Sequence, residues 1–366
     1  MNVGMRATVN HKFMNPVRAS APSYAEKIVH IIVVAIVFVS FALSAALATD
    51  RASTELARHF LSDTPACVQP APSPVLLVAD LTLNGEIDDS VSLHIYSILE
   101  ELGCIDVLGV VSIFGNGGST TAEVHRNLNV RLAKLGGGTW RLLRGPDESY
   151  RKVRNKRATR PPAGQNGTQA DQERLVRIAE IVNGANGQVV IVELGPMTVS
   201  ARLLSSGLIQ ESKIRKILAV GGRKGGERFG RPAGLVGRLG SFTDFNVRKD
   251  TKAVDSLIRN WPEKMFLVTY RSGVGQRMIT ADMIANAIPA ISEHATARQQ
   301  WLRRMLGYEG IPSWDTWTAV YFVRDGKIRI DCGMRYGHVR MEDGARWPRL
   351  LIGNQPDDGW PIEMCR

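Results

Sequence analysis

Val75-Leu76-Leu77-Val78-Ala79-Asp80-Leu81-Thr82-Leu83-Asn84-Gly85-Glu86-Ile87-Asp88-Asp89 is the stretch on which the fold of this chain is decided. Its first five residues are apolar without alternation, which suits a short strand buried on both faces, as in a parallel sheet. Polar residues take over at Asp80. The acidic pair Asp88 and Asp89 then opens a segment in which Val91, Ile95, Ile98, Leu99 and Leu102 recur at helical spacing, with Gly103 placed to end the helix.

Outward from there the same alternation repeats. Buried-strand patterns occupy residues 107–114, 189–192, 217–220 and 265–269, and helical patterns stand between them, as at 172–182 and 252–259. No internal repeat is present. Strands alternating with helices predict an α/β fold: a single domain with an open, mostly parallel central sheet and helices on both faces.

Ligands of open α/β sheets bind at the carboxyl ends of the strands, so the polar residues there are the ones to collect. They are Asp80, Thr82, Asn84, Glu86, Asp88 and Asp89 after the first strand, and Asn116 after the second. Leu194-Gly195-Pro196 and Asp244-Phe245-Asn246 follow, and then Trp314-Asp315 ahead of a helical apolar pattern of Trp317, Val320 and Tyr321. Several carboxylates at one sheet edge suit a hard cation such as calcium. Taken singly, Asp88, Asp89 and Asp315 read as helix caps and Asn116 as a turn residue. Their joint order carries the functional case.

Ahead of the domain, residues 28–48 are almost wholly apolar or small, follow a basic stretch and end in Ala46-Leu47-Ala48. That pattern reads as a cleaved export signal, or as an uncleaved membrane anchor. Either way the rest of the chain is expected outside the cytoplasm: periplasmic, secreted, or tethered through residues 28–48. Residues 49–74 are polar and proline-bearing and read as a linker, which leaves 75–366 as the domain. The formal net charge is +11, of which residues from Thr49 onward carry +8. Six basic residues fall within 151–160 and read as a solvated loop. Without stacking aromatics or a recognised module beside them, nucleic-acid binding is not indicated.

Of the four cysteines, none are spaced as CxxC, so a zinc site of the usual kind is not indicated. Cys67 and Cys365 are expected as a pair, and Cys104, inside an apolar pattern, as a buried thiol. Scattered histidines without HExxH argue against a zinc hydrolase. No glycine fingerprint follows a strand in the dinucleotide-binding context, and no Gly-x-Ser-x-Gly elbow is present. A haloacid-dehalogenase-type phosphatase would need a carboxylate where Thr82 stands.

The ordered segments resemble the inosine/uridine-preferring nucleoside hydrolase family. Residues 80–89 are similar to its first aspartate motif, 109–116 to its second strand with the ribose-binding asparagine, and Arg126-Asn127 to the pair in the helix that follows. Gly195-Pro196-Met197-Thr198 is similar to the family's Gly-Pro-Leu-Thr, Val220-Gly221-Gly222 to Met-Gly-Gly, Asp244-Phe245-Asn246 to Glu-Phe-Asn, and Trp314-Asp315 to His-Asp. The resemblance implies a calcium-dependent N-ribohydrolase of a small-molecule nucleoside or riboside, with a role in purine or pyrimidine salvage and a homo-oligomer left open. It implies calcium ligands at Asp89, the Leu194 carbonyl and Asp315. Thr82 falls on the family's remaining ligand and base, an aspartate, so Asp80 or Glu86 would have to replace that carboxylate. Asp88, Asn116, Asp244 and Asn246 would hold the ribose, Asp80 and Asp88 would serve catalysis, and Trp314 would stack on the base without donating a proton. The other outcome is an exported protein of the same fold that binds ribose or nucleoside without cleaving it.

Overall fold

The computed structural model describes residues 56, 58–61, 65–82, 87–115, 118–134, 140–150, 168–224, 245–269, 278–306, 308–324, 332–340 and 349–365. Residues 1–48, the basic stretch 151–160 and the site candidates Asn84, Glu86, Asn116 and Asp244 lie outside them. The fold below belongs to the unit that starts at Asp50. Among the described residues no helix is long and apolar enough to cross a membrane.

A short strand β1 (Ala66–Cys67) is followed by β2 (Ser73–Ala79), β3 (Ile105–Ser112), β4 (Leu142–Arg144), β5 (Val189–Glu193), β6 (Ile214–Val220), β7 (Arg223–Lys224), β8 (Met265–Val268), β9 (Val323–Arg324), β10 (Cys332–Arg340), β11 (Arg349–Gly353) and β12 (Trp360–Cys365). Ten of these form one sheet in the order β4-β3-β2-β5-β6-β8-β12-β10-β11-β7. Pairing is parallel from β4 through to β12. Only β10 runs antiparallel to its neighbours, and β7 is parallel to β11.

The apolar run that opened the sequence reading is the middle of this sheet. Val75, Leu77 and Ala79 belong to one core and Leu76 and Val78 to the other, so the strand is buried on both faces. The first core is covered by α1 (Ile87–Glu101) and α2 (Thr121–Lys134), and by α7 (Ala281–Ala287) and α8 (Ser292–Leu306) further along. The second is covered by α3 (Gln169–Gly184), α4 (Thr198–Ser205) and α6 (Thr251–Asn260), with the short α5 (Phe245–Lys249) beside them. Each buried leucine or valine contributes about 1.5–3 kcal/mol, which favours this two-sided burial. Gly103 has φ 73°, a left-handed value, and ends α1 as its position in the sequence suggests.

Four expectations are corrected. The linker is shorter than residues 49–74: Leu56, Phe60 and Leu61 are buried in the first core and β1 pairs with β9, because these apolar side chains cover surface around Trp317. The cysteines pair as Cys67–Cys104 and Cys332–Cys365, not as Cys67–Cys365 with a free Cys104. Cys67 ends β1 and Cys104 immediately precedes β3, while Cys332 and Cys365 are direct cross-strand partners, so chain topology rather than proximity to the termini sets the pairing. The apolar pattern after Asp315 is a 3-10 helix, Asp315–Phe322, rather than an α-helix. Strands β10 to β12 lengthen the sheet beyond the expected runs, since much of β10 is exposed or half-buried and the buried stretches of β11 and β12 are short.

Candidate active site

The carboxyl ends of β2, β3 and β5 lie side by side. Ile113 N–H donates to the Ala79 carbonyl (3.0 Å) and Leu194 N–H to the Val78 carbonyl (2.8 Å), which extends the pairing to the last residues of each strand. Asp80 leaves β2 at this edge and is fully buried. Its carboxylate is wedged between two glycines: a Cβ on Gly115 would lie 1.7 Å from Asp80 Oδ2, and one on Gly195 would lie 2.9 Å from Asp80 Cγ. Only residues without a side chain fit at those two positions. Thr82, two residues on, is half-buried. The Leu81 carbonyl between them accepts a hydrogen bond from Asn127 Nδ2 (3.4 Å), so the Arg126-Asn127 segment anchors the first loop.

Asp88 and Asp89 occupy the first turn of α1, where the helix dipole favours acids. Asp315 opens the 3-10 helix. The two helices are stitched together by Ser92 Oγ with Thr316 Oγ1 (2.9 Å) and Tyr96 Oη with Thr318 Oγ1 (2.8 Å). Ser92 Oγ also reaches the Asp88 carbonyl (2.7 Å), and the Thr318 hydroxyl donates to the Asp315 carbonyl (2.5 Å). Thr316 bonds Ser313 as well. The result is a carboxylate cluster: Asp88, Asp89 and Asp315 each offer an oxygen within 4.8 Å of the others.

Asp89 and Asp315 are buried and Asp88 is half-buried. Burial, and then the charges of Asp88 and Asp80, push the Asp315 carboxyl well above the ordinary range. Burial also raises Asp88, opposed by the charge of Arg298 on α8. Crowded, buried acids of this kind favour a cation among them or a shared proton. Asp80 is not one of the three, although its charge is felt at Asp315.

On the other side of β5, Asn246 on α5 donates from Nδ2 to the Leu194 carbonyl (3.2 Å). Its segment and the Gly-Pro turn therefore meet, as their similarity to one family site implies. Trp314 is half-buried beside Asp315, whereas Trp317 is core and packs edge-on against Phe60. The structure thus brings together Asp88, Asp89 and Asp315, places Asp80 and Asn246 against the same strand ends, and leaves Thr82 at the rim of the first loop.

Two groups of residues escaped the sequence reading. Arg298 comes from a helix that carries no site-like motif. The loop after β4 is fixed by buried charge: Asp171 accepts from the Asp147 and Glu148 amides (2.8 and 3.3 Å), and Asp250 from the Tyr150 amide (2.6 Å). Arg202, also buried, bonds Asp171 (3.3 Å) and the Glu148 carbonyl (2.8 Å). Asp171 and Asp250 stand at helix starts, so pattern alone marks them as caps and nothing more.

A family model described as inosine-uridine preferring nucleoside hydrolase matches residues 80–352. Among solved structures, a plant nucleoside hydrolase superposes with a TM-score of 0.59 at 17% identity, over 81% of this chain and 94% of that one. A purine-preferring ribonucleoside hydrolase from Gardnerella vaginalis gives 0.55 at 14% identity, over 80% and 93%. An inosine-uridine preferring nucleoside hydrolase from Bacillus anthracis gives 0.52 at 17%, over 80% and 93%. No curated protein matches the chain.

Proposed function

Because this chain belongs to the inosine-uridine preferring nucleoside hydrolase family, we propose that it is an N-ribohydrolase, which cleaves the N-glycosidic bond of a ribonucleoside or related riboside by attack of water at the anomeric carbon. The observation that carries this is the convergence of Asp88, Asp89 and Asp315, residues from two distant parts of the chain, at the carboxyl edge of a parallel sheet. A stability role alone would not favour three crowded acids, two of them buried.

The donor set fits calcium. Three carboxylates with mutual repulsion, and the Leu194 carbonyl at the neighbouring strand end, are the hard oxygen ligands that ion takes. Asp88, Asp89, Asp315 and the Leu194 carbonyl would hold it, with Asp80 and Thr82 on the side of the first loop. Bound there, calcium would supply Lewis-acid polarisation of a water and of the ribose hydroxyls.

The chain's own residues do the rest. Asp88, the half-buried member of the cluster, accepts the proton of the attacking water. Asp80, buried at the end of β2, adds negative field where positive charge grows on the ribose. Asn246, with Asn116 and Asp244, holds the ribose hydroxyls and fixes the sugar for attack. Trp314 stacks on the base.

One observation favours a binding-only protein of the same fold: Thr82 is neutral where the family has its base, and Asp80 is packed between glycines rather than within the cluster. Ribose release from inosine, uridine and p-nitrophenyl riboside, with calcium and with a chelator, tests the choice. Calcium-dependent release is expected. Calorimetric binding of these ribosides with no release of ribose would sink the hydrolase and leave the binding protein.

The same proposal places the domain outside the cytoplasm. It is supported by the apolar segment 28–48 and by two disulfides among the described residues, which persist in oxidising compartments. Fractionation of cells that express the full chain tests this; recovery in the cytosol with reduced thiols would refute it.

A further inference from the structure

The acid cluster lies where two helices begin. Asp88 and Asp89 open α1, Asp315 opens the 3-10 helix, and the Ser92–Thr316 and Tyr96–Thr318 hydrogen bonds hold the two side by side. Both pairs advance together along the chain, so the helices run in the same direction and lie together further on as well. There Tyr96 meets Phe322 edge-on, with ring centres 6.1 Å apart. The distance from Asp315 to the acids of α1 is therefore set by how far one helix slides along the other. A cation tolerates little slide, since ligand distances hold to within about 0.2 Å.

The chain ahead of β2 bears on that slide. Leu56, Phe60 and Leu61 are buried in the first core, and Phe60 packs edge-on at 5.8 Å against Trp317 of the 3-10 helix. Where this helix ends, the Val68 amide donates to the Phe322 carbonyl (2.9 Å), β1 pairs with β9, and Arg324 Nη2 donates to the Val68 carbonyl (3.3 Å). The segment is thus a strap fastened to the 3-10 helix and its exit. Its other attachment is covalent. Cys67 is bonded to Cys104, three residues past the end of α1, and the Cys104 amide donates to the Leu99 carbonyl within α1 (2.9 Å). The two helices are therefore joined twice, by hydrogen bonds in their first turns and by the strap at their far ends. The other disulfide, Cys332–Cys365, joins β10 to β12 instead.

We propose that this strap sets the register of the two helices, so that the calcium site is complete only when the Cys67–Cys104 bond is closed. This rests on the calcium reading of the cluster given above. Opening the bond takes a dithiol reductant. It delivers two electrons and two protons to the sulfur–sulfur bond, which parts into two thiols, while the reductant's own thiols close to a disulfide. The strap then keeps its apolar contacts but loses its hold on α1, and the acids lose their preorganisation while the fold remains.

Calcium calorimetry on the full chain tests it, at a temperature where circular dichroism shows every sample folded. Under that condition a loss of stability alone leaves Kd unchanged. Cys67→Ala opens the first bond and keeps the second; Cys332→Ala combined with Cys365→Ala does the reverse. Cys67→Ala is expected to weaken calcium binding about tenfold or more, the effect of losing support around metal ligands. Wild type reduced with dithiothreitol should weaken likewise, and reoxidation should restore its Kd. The Cys332/Cys365 variant should bind calcium as wild type does, even with a lower melting temperature. Wild-type affinity in Cys67→Ala overturns the proposal and leaves the calcium reading standing. Equal weakening in both variants also overturns it, as a general loosening of the domain. If Cys67→Ala fails to fold, Phe60→Leu takes its place, since it keeps the bond and loosens the strap against Trp317. Weakening by about threefold or more then supports the proposal, and an unchanged Kd overturns it. Oxidised wild type that binds no calcium defeats both readings.

Discussion

Ser92 Oγ lies 2.9 Å from Thr316 Oγ1, a buried hydrogen bond between residues 224 positions apart. It joins the helix that carries Asp88 and Asp89 to the 3-10 helix that carries Asp315. Removing it leaves a buried hydroxyl less well satisfied, at a cost of about 1–3 kcal/mol. Ser92→Ala should therefore lower the unfolding midpoint and also weaken calcium binding, because the two halves of the cluster lose their brace. Thermal melts with and without calcium check both. An unchanged calcium response would show that the hydrogen bond supports the fold alone.

The cluster itself makes an opposite demand. Burial and the charges of Asp88 and Asp80 raise the Asp315 carboxyl, so an ionised Asp315 destabilises the chain when no cation is bound. Asp315→Asn is expected to hold or raise the melting temperature in chelator. It should also abolish the rise that calcium gives wild type, about 3 kcal/mol at a hundredfold excess over Kd. Loss of stability in chelator would contradict the repulsion.

In the function proposed above, Thr82 takes the place of a carboxylate base. Thr82→Asp should raise kcat on inosine or uridine by at least tenfold, within the range that a positioned base supplies. A steady-state comparison at saturating calcium decides it. A folded variant with unchanged kcat would place the rate limit elsewhere.

Glu193 is fully buried at the end of β5, where its Oε1 accepts from the Ser200 amide (2.9 Å) and hydroxyl (2.6 Å). Burial first, and then the charge of Asp250, push its carboxyl up to about 8 against the opposing Ser200 bonds. The folded state thus holds a proton that the unfolded chain releases near 4.5. Its contribution to stability is complete below that pH and is lost as pH rises through about 8. Glu193→Gln should flatten this decline by a few kcal/mol at pH 9. Denaturant titrations at pH 5, 7 and 9 measure it, and parallel curves for both proteins would rule out the raised carboxyl.

The sequence announced β2, β3, β5, β6 and β8 because strands buried on both faces have no polar alternation to conceal them. It also singled out Asp88, Asp89 and Asp315, three of the acids collected from the strand ends, which the fold brings within 4.8 Å of one another. It did not announce β10, whose partly exposed residues resemble loop, nor β11 and β12, whose buried runs are short, nor the cysteine pairing, which composition cannot fix. Arg298 and the Asp171–Arg202 pair were equally hidden. They act through space on elements far away in the chain, and no local pattern records that.

Strand β12 comes late in the sequence yet sits inside the sheet, between β8 and β10, with β11 and β7 beyond it. A frameshift or stop before Trp360 would therefore remove more than one strand: it would open the edge of β8, detach β10 and β11, and strip Cys332 of its partner. The same order imposes a schedule. The sheet stays open until residues 360–365 have been synthesised, so the nascent chain is long held short of its native state.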